Sequence, residues 1–130
     1  MNSFNFEKLY LVGNHLKSHS KAEEYQRSAI TRYYYSIFHP VKEYYEKSFR
    51  KILSSQNSHG TLITELENSP FEEEQKLGEM MRILRNNRNR ADYSKKTINK
   101  NLAKNSKKKT DDTKSQLNML IKHPLRPMKN

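Results

Sequence analysis

The sequence contains no cysteine and no tryptophan, and only three glycines and four prolines in 130 residues. Without cysteine there is no disulfide framework, no thiolate metal site and no cysteine nucleophile, which fits a reducing compartment. Scarce Gly and Pro, with no long β-branched runs, suit helices around a thin core: apolar residues make up 33% of the chain and charged residues 30%. Also missing are a Gly-rich phosphate loop, H-E-x-x-H, G-x-S-x-G and any metal-spaced His/Asp cluster, so neither a metal nor a cofactor is expected. His15, His19, His59 and His123 share no spacing. MNSFNFEKLYLVGNH has neither a basic start nor a long apolar run, so no signal peptide or membrane span is expected, and the expected location is cytoplasmic.

What is abundant is positive charge. The net charge is +11, and residues 95–130 carry eleven Lys/Arg against two Asp, while residues 1–94 carry fourteen against twelve acidic residues. Such a field raises encounter rates with polyanions such as RNA, although lysine-rich segments also serve as solubilising tails.

The apolar spacing predicts helices. Leu9, Val12 and Leu16 mark a first helix over 4–17, and Ser20 with Glu23 forms the pattern of a capping box that opens a second. Its stripe runs Ile30, Tyr34, Ile37, Phe38, Val41, Tyr45, Phe49 and Ile52. Pro40 falls inside it, where proline costs about 3 kcal/mol in a straight helix; because the stripe resumes in phase, a kink is expected and not a break. SSQNSHG (54–60) reads as a loop and TLITELE as a short helix or turn. Ser69, Pro70 and Glu72 predict a third long helix beginning at Pro70 and running through Leu77, Met81 and Leu84. SKKTINKNLAKNSKKKTDD reads as a mobile connection or a weakly packed irregular helix, followed by a last helix over QLNMLIKH. The expected fold is an all-α, up-and-down bundle of four to five helices in one domain. Residues 1–95 form its core and 96–130 a basic C-terminal segment of the same domain. So thin a core also suggests a homodimer.

One stretch demands a chemical explanation. RNNRNRADYS (85–94) packs three arginines and three asparagines into six positions. The stripe of the third long helix runs 77, 81, 84 and then 88, so Arg88 takes a place where a core side chain is expected. An inward guanidinium needs a partner, and Asp92, one turn on, is the nearest. The pair either seals the helix end, or it belongs to a fork in which Arg85 and Arg88, with Asn86, Asn89 and Arg90 beside them, receive a phosphate. On the second helix Arg32, Tyr35 or Ser36, and His39 recur on a face away from the main stripe, and an arginine and a histidine on one face can combine phosphate binding with proton transfer. His39 otherwise caps the kink or packs at an interface, and the tyrosines otherwise pack with a wet hydroxyl.

SAITRYYYSIFH (28–39), HG (59–60) and LRNNRNRADY (84–93) together resemble the small HEPN-domain proteins, over roughly residues 20–95. The resemblance implies a helical bundle, usually dimeric, from toxin–antitoxin, phage-defence and CRISPR-associated systems, many members of which are metal-independent ribonucleases. In that branch an arginine followed by a polar residue precedes a histidine by four to six positions. Here Arg85-Asn86 and Arg88-Asn89 resemble the start of the motif, but Asp92 stands where the nuclease has histidine, and an ionised carboxylate supplies no proton. His39 is the one substitute. Tyr93 resembles a tyrosine that partner nucleotidyltransferases modify in some toxin pairs, which would set a phosphate beside the arginines.

Two functional readings follow: an RNA-directed HEPN-like protein acting as a metal-independent ribonuclease, with Arg85, Arg88, Asp92 and His39 in the site and Arg32, Asn86, Asn89 and Arg90 on phosphate; or a non-catalytic RNA-binding, nucleotide-binding or assembly module. The expected partners are RNA, a second copy of the chain, and a nucleotidyltransferase antitoxin or other defence protein. A purely structural role for the arginine cluster is the third reading.

Overall fold

A computed structural model describes residues 4–126. The described residues form an all-α, up-and-down bundle of five helices: α1 (Lys8–His19), α2 (Glu23–Phe49), α3 (Ser58–Glu67), α4 (Glu72–Tyr93) and α5 (Lys100–Lys122). Among the described residues there is no strand, and no helix is long and apolar enough to cross a membrane.

α2 is the hub, in contact with all four other helices. Its stripe of Tyr34, Ile37, Phe38, Val41 and Tyr45 meets Leu62, Ile63 and Leu66 of α3, Leu77, Met81 and Leu84 of α4, and Leu117 and Leu120 of α5. Each fully buried Leu or Ile contributes about 1.5–3 kcal/mol of transfer free energy. A second, smaller cluster joins Ile30 and Ala91 to Ile98, Leu102 and Ala103, and so seats the start of α5 against the end of α4.

Several boundaries differ from expectation. α1 begins at Lys8, and its buried position is Gly13, where an added Cβ would stand 2.8 Å from Cε1 of Tyr33; Val12 is exposed instead. Ser20 does not form a capping box: its Oγ accepts from the Ala22 N–H, while buried Gln26 donates to the carbonyls of Lys17 and Ser20, joining α1 to α2. α2 runs unbroken through Pro40 but ends at Phe49, because Arg50 turns into the left-handed region at φ 55°. Ile52 therefore leaves the stripe and is exposed. The expected loop 54–60 is shorter, since α3 already starts at Ser58 and takes His59 and Gly60 into its first turn. α4 starts at Glu72 and not at Pro70; Ser69 Oγ accepts from the Phe71 N–H and donates to Glu74 Oε1.

The largest correction is α5. Residues expected to form a mobile connection or a weakly packed irregular helix, and a separate last helix, form one continuous helix of 23 residues, with Leu102, Ala103, Ser106, Thr110, Thr113, Leu117 and Leu120 buried. The spacing is helical, but its middle positions are small and polar. Their hydroxyls are satisfied locally: Thr110 donates to the Ser106 carbonyl and Thr113 to that of Lys109, while Ser106 Oγ accepts from Asn87. Such back-bonding lets Ser and Thr sit on a buried helix face.

Candidate functional site

The last turns of α4 carry the arginines onto the face of α2 that also holds Tyr34, Tyr35 and Phe38. Leu77, Met81 and Leu84 belong to the core, and Arg88 follows them one turn on, largely shielded, with a side chain 17% exposed. Its Nε lies 2.9 Å from Asp92 Oδ2, a charge contact in which the N–H is not aimed at the oxygen. The guanidinium lies 5.3 Å from the centre of the Tyr35 ring and 5.6 Å from that of Tyr93, and Nη1 donates to Asn89 Oδ1 at 3.3 Å. Asp92 is fixed from the other side, since Thr31 Oγ1 donates to its Oδ1 at 2.5 Å.

Arg85 is placed differently. A Cβ added to Gly60 would lie 3.2 Å from Arg85 Nη1 and 2.6 Å from Asn57 Oδ1, so the missing side chain at the start of α3 is what admits the guanidinium. Its Nε is shielded from solvent without a hydrogen-bond partner. Among the described residues Arg85 has no ion pair. Only Arg88 is paired with a carboxylate, that of Asp92, so Arg85 leaves the cluster with a net positive charge.

The first turn of α3 adds His59. Its Nδ1 lies 2.7 Å from Tyr34 Oη, and its ring stacks on Phe38 at 3.9 Å. Burial first, then the charges of Arg88 and Arg85, lower its pKa from the ordinary 6.5 to about 4. Burial also raises the Tyr34 hydroxyl, against the opposing pull of the arginines. At neutral pH the arginines therefore face an uncharged imidazole and an uncharged phenol, which provide hydrogen bonds without cancelling positive charge.

The remaining candidates are spread more widely. His39 stacks on Phe6 at 3.6 Å and faces a groove of about 870 Å³ lined by Phe4, Tyr44, Arg50, Leu117 and Arg126. Burial and then Lys42 lower its pKa. Tyr35 stands between His39 and the arginines, its ring 6.1 Å from the imidazole. Arg32, two turns before His39 on α2, borders a shallow depression of about 500 Å³ with Arg27, Thr31, Asp92 and Tyr93. Asn86, Arg90 and Tyr93 are exposed. Among the described residues no three His, Asp or Glu side chains converge as a metal set.

Two further groups position the site from outside. Arg27 on α2 donates to the carbonyls of Arg90, Ala91, Ser94 and Lys96 and pairs with Glu23, so one guanidinium satisfies the open end of α4. At the opposite end of α4, fully buried Glu74 accepts from Arg126, Tyr44 and Ser69. Burial alone would raise its pKa, but these hydrogen bonds hold it below the ordinary carboxylate value. Arg126 in turn lies 4.2 Å from the Phe49 ring centre and 5.1 Å from that of Phe71. No periodicity marks Arg27, Glu74 or Arg126 in the sequence, because each acts on a segment distant along the chain; His59 and Gly60 stood out only through the HG of the family resemblance. No family model, curated protein or solved structure matches the chain.

Proposed function

We propose that this chain is an HEPN-like, RNA-directed protein of a defence or toxin system, in which Arg85 and Arg88 receive a phosphate of the RNA backbone. One observation carries the reading: Arg85, three residues before the Asp92-paired Arg88 on α4, has no carboxylate partner among the described residues and a shielded Nε with no hydrogen bond. A buried polar nitrogen left unpaired costs about 1–3 kcal/mol, and a phosphate oxygen is the ligand that recovers this while balancing the charge. Asn89 and Asp92 hold Arg88 in place, and the partly buried Tyr35 lies against its guanidinium, backed by the buried Tyr34 and Phe38.

Binding without cleavage is the reading we favour. Asp92 is held by Thr31 and Arg88, and His39 stacks on Phe6 beyond Tyr35. The second reading, a metal-independent ribonuclease, draws on His59: a neutral imidazole beside two arginines can take the proton of a 2′-hydroxyl as it attacks phosphorus, with the 5′-oxygen leaving.

Incubating the protein with end-labelled RNA in chelator separates the readings. Binding lost in Arg85→Gln and Arg88→Gln, with the RNA intact, supports the first. Cleavage abolished in His59→Asn as well as in the arginine variants supports the second. Wild-type RNA affinity in both arginine variants overturns the assignment.

A further inference from the structure

We infer that the lysines leading into and along the outer face of α5 form a second contact surface, one that tracks a phosphodiester backbone independently of base sequence. Lys95, Lys96, Lys100 and Lys104 are exposed, and among the described residues none of them has an ion pair. Some surface cations of this protein are neutralised, as Lys47 is by Glu43, Lys51 by Glu65 and Arg82 by Glu67; these four are not, and they lie within ten residues of one another along the chain. From Lys95 to Lys109 there are seven lysines, and the first acidic residue is Asp111.

The placement works against the helix. α5 has no acidic residue in its first turn, and Lys100 stands there at the positive end of the dipole, where a cation is unfavourable. α4 of the same protein has the opposite pattern, with Glu72, Glu73 and Glu74 in its first turn. A solubilising function would be served equally well by lysines at the far end of α5. Charge concentrated where it destabilises, on an ordered helix whose buried face is fixed by Leu102 and Ala103, is instead suited to a polyanion.

The geometry favours nucleic acid over an acidic protein. Lys100 and Lys104 are one turn apart, about 6 Å along the helix axis, and share the outer face with exposed Asn101 and Asn105, so a regular row of donors and cations meets the ligand. Exposed Arg90 on the last turn of α4 precedes the row, which places it next to the arginine cluster along the chain. Phosphate contacts of this kind supply affinity and orientation without reading sequence.

The test is the salt dependence of binding to a fluorescein-labelled 20-nucleotide single-stranded RNA, measured by anisotropy for the full chain, a Lys95/Lys96/Lys100/Lys104→Gln variant and the Arg85/Arg88→Gln variant. Each phosphate contact contributes about 0.7 to the slope of log K against log salt. The lysine variant is expected to lose about 2 to 3 of that slope and to bind at least about tenfold more weakly at 0.1 M salt, equally for unrelated sequences. Its thermal midpoint should be unchanged or raised, because the dipole conflict is relieved. A wild-type slope and affinity in the lysine variant overturn the inference, as does the absence of RNA binding by the wild type. A reduced slope in the lysine variant alone, with the arginine variant binding normally, upholds this surface while removing the arginine site.

Discussion

At the scale of single residues, the site is defined by which groups are charged. His59 is held neutral well below its ordinary pKa, so the unfolded chain binds a proton at this position between about pH 6.5 and pH 4 that the folded chain refuses. The stability that depends on this neutral ring is present above about pH 6.5 and falls as the pH drops toward 4. His59→Asn, whose smaller carboxamide keeps a polar group near the Nδ1 position but cannot titrate, should flatten this part of the stability profile in urea melts at a series of pH values. A bound phosphate would reverse the local field and raise the His59 pKa, a shift that NMR titration with and without a short RNA would register.

Glu74 gives a second pH signature, in a lower window. Its depressed pKa means that its contribution is complete above the ordinary carboxylate value of 4.5 and lost as pH falls through the folded value. Arg126→Ala removes the charged donor while Ser69 and Tyr44 remain, and should cost about 2–4 kcal/mol at pH 7, somewhat under the usual cost of breaking a buried pair because Arg126 is partly exposed. The deficit should shrink as the pH falls through the folded value, where the carboxyl takes up a proton. A deficit unchanged with pH would show that the side chain acts only by packing on Phe49 and Phe71.

At the scale of helices, the end of α4 is the vulnerable element. Its last carbonyls have no partner within the helix, and Arg27 supplies four hydrogen bonds to that region. Arg27→Ala should destabilise the protein by about 3 kcal/mol, given that hydrogen bonds to charged groups are worth about 1.5–3 kcal/mol and several on one group do not add. Arg27→Lys should not rescue, because an ammonium cannot span four carbonyls with the planar fork of guanidinium. Because Arg88 and Asp92 lie on the turns that Arg27 holds, RNA binding should weaken together with stability.

What could be read from the sequence follows from how local each signal is. The stripe of α2 and the alignment of Arg88 with the core face of α4 depend on spacing within one helix, and Asp92 beside Arg88 depends on one turn; both are encoded within a few residues. α5 was not legible as one helix, because Ser106, Thr110 and Thr113 occupy its buried face while lysines dominate the count, and hydroxyls that bond their own backbone leave no trace in an apolar pattern. His59 reaches the arginines only through the packing of α3 on α4, a long-range relation that no periodicity carries. α4 starts two residues later than Pro70, because Ser69 is engaged by the Phe71 N–H and by Glu74, a contact five residues along that the local pattern does not carry.

At the scale of the whole molecule, charge and packing set the behaviour. Most of the excess positive charge lies beyond residue 94, on α5 and its approaches, where like charges repel across short distances. Raising the salt concentration from about 0.02 to 0.3 M should shorten the screening length enough to raise the thermal midpoint, by about 3–5 °C for roughly 1 kcal/mol of relieved repulsion. A midpoint that falls with salt would mean that the ion pairs outweigh this repulsion.

The central position of α2 bears on how the site meets its ligand. Since this helix is in contact with all four others, its middle turns should exchange amide hydrogen only when the entire molecule opens, making Tyr33 to Val41 the slowest segment in a deuterium uptake experiment. Tyr34, Tyr35 and Phe38 come from that segment. A surface laid on the most protected turns of a protein is ready before anything arrives, so association there should follow a single bimolecular phase whose rate stays proportional to concentration, with no plateau from a preceding rearrangement.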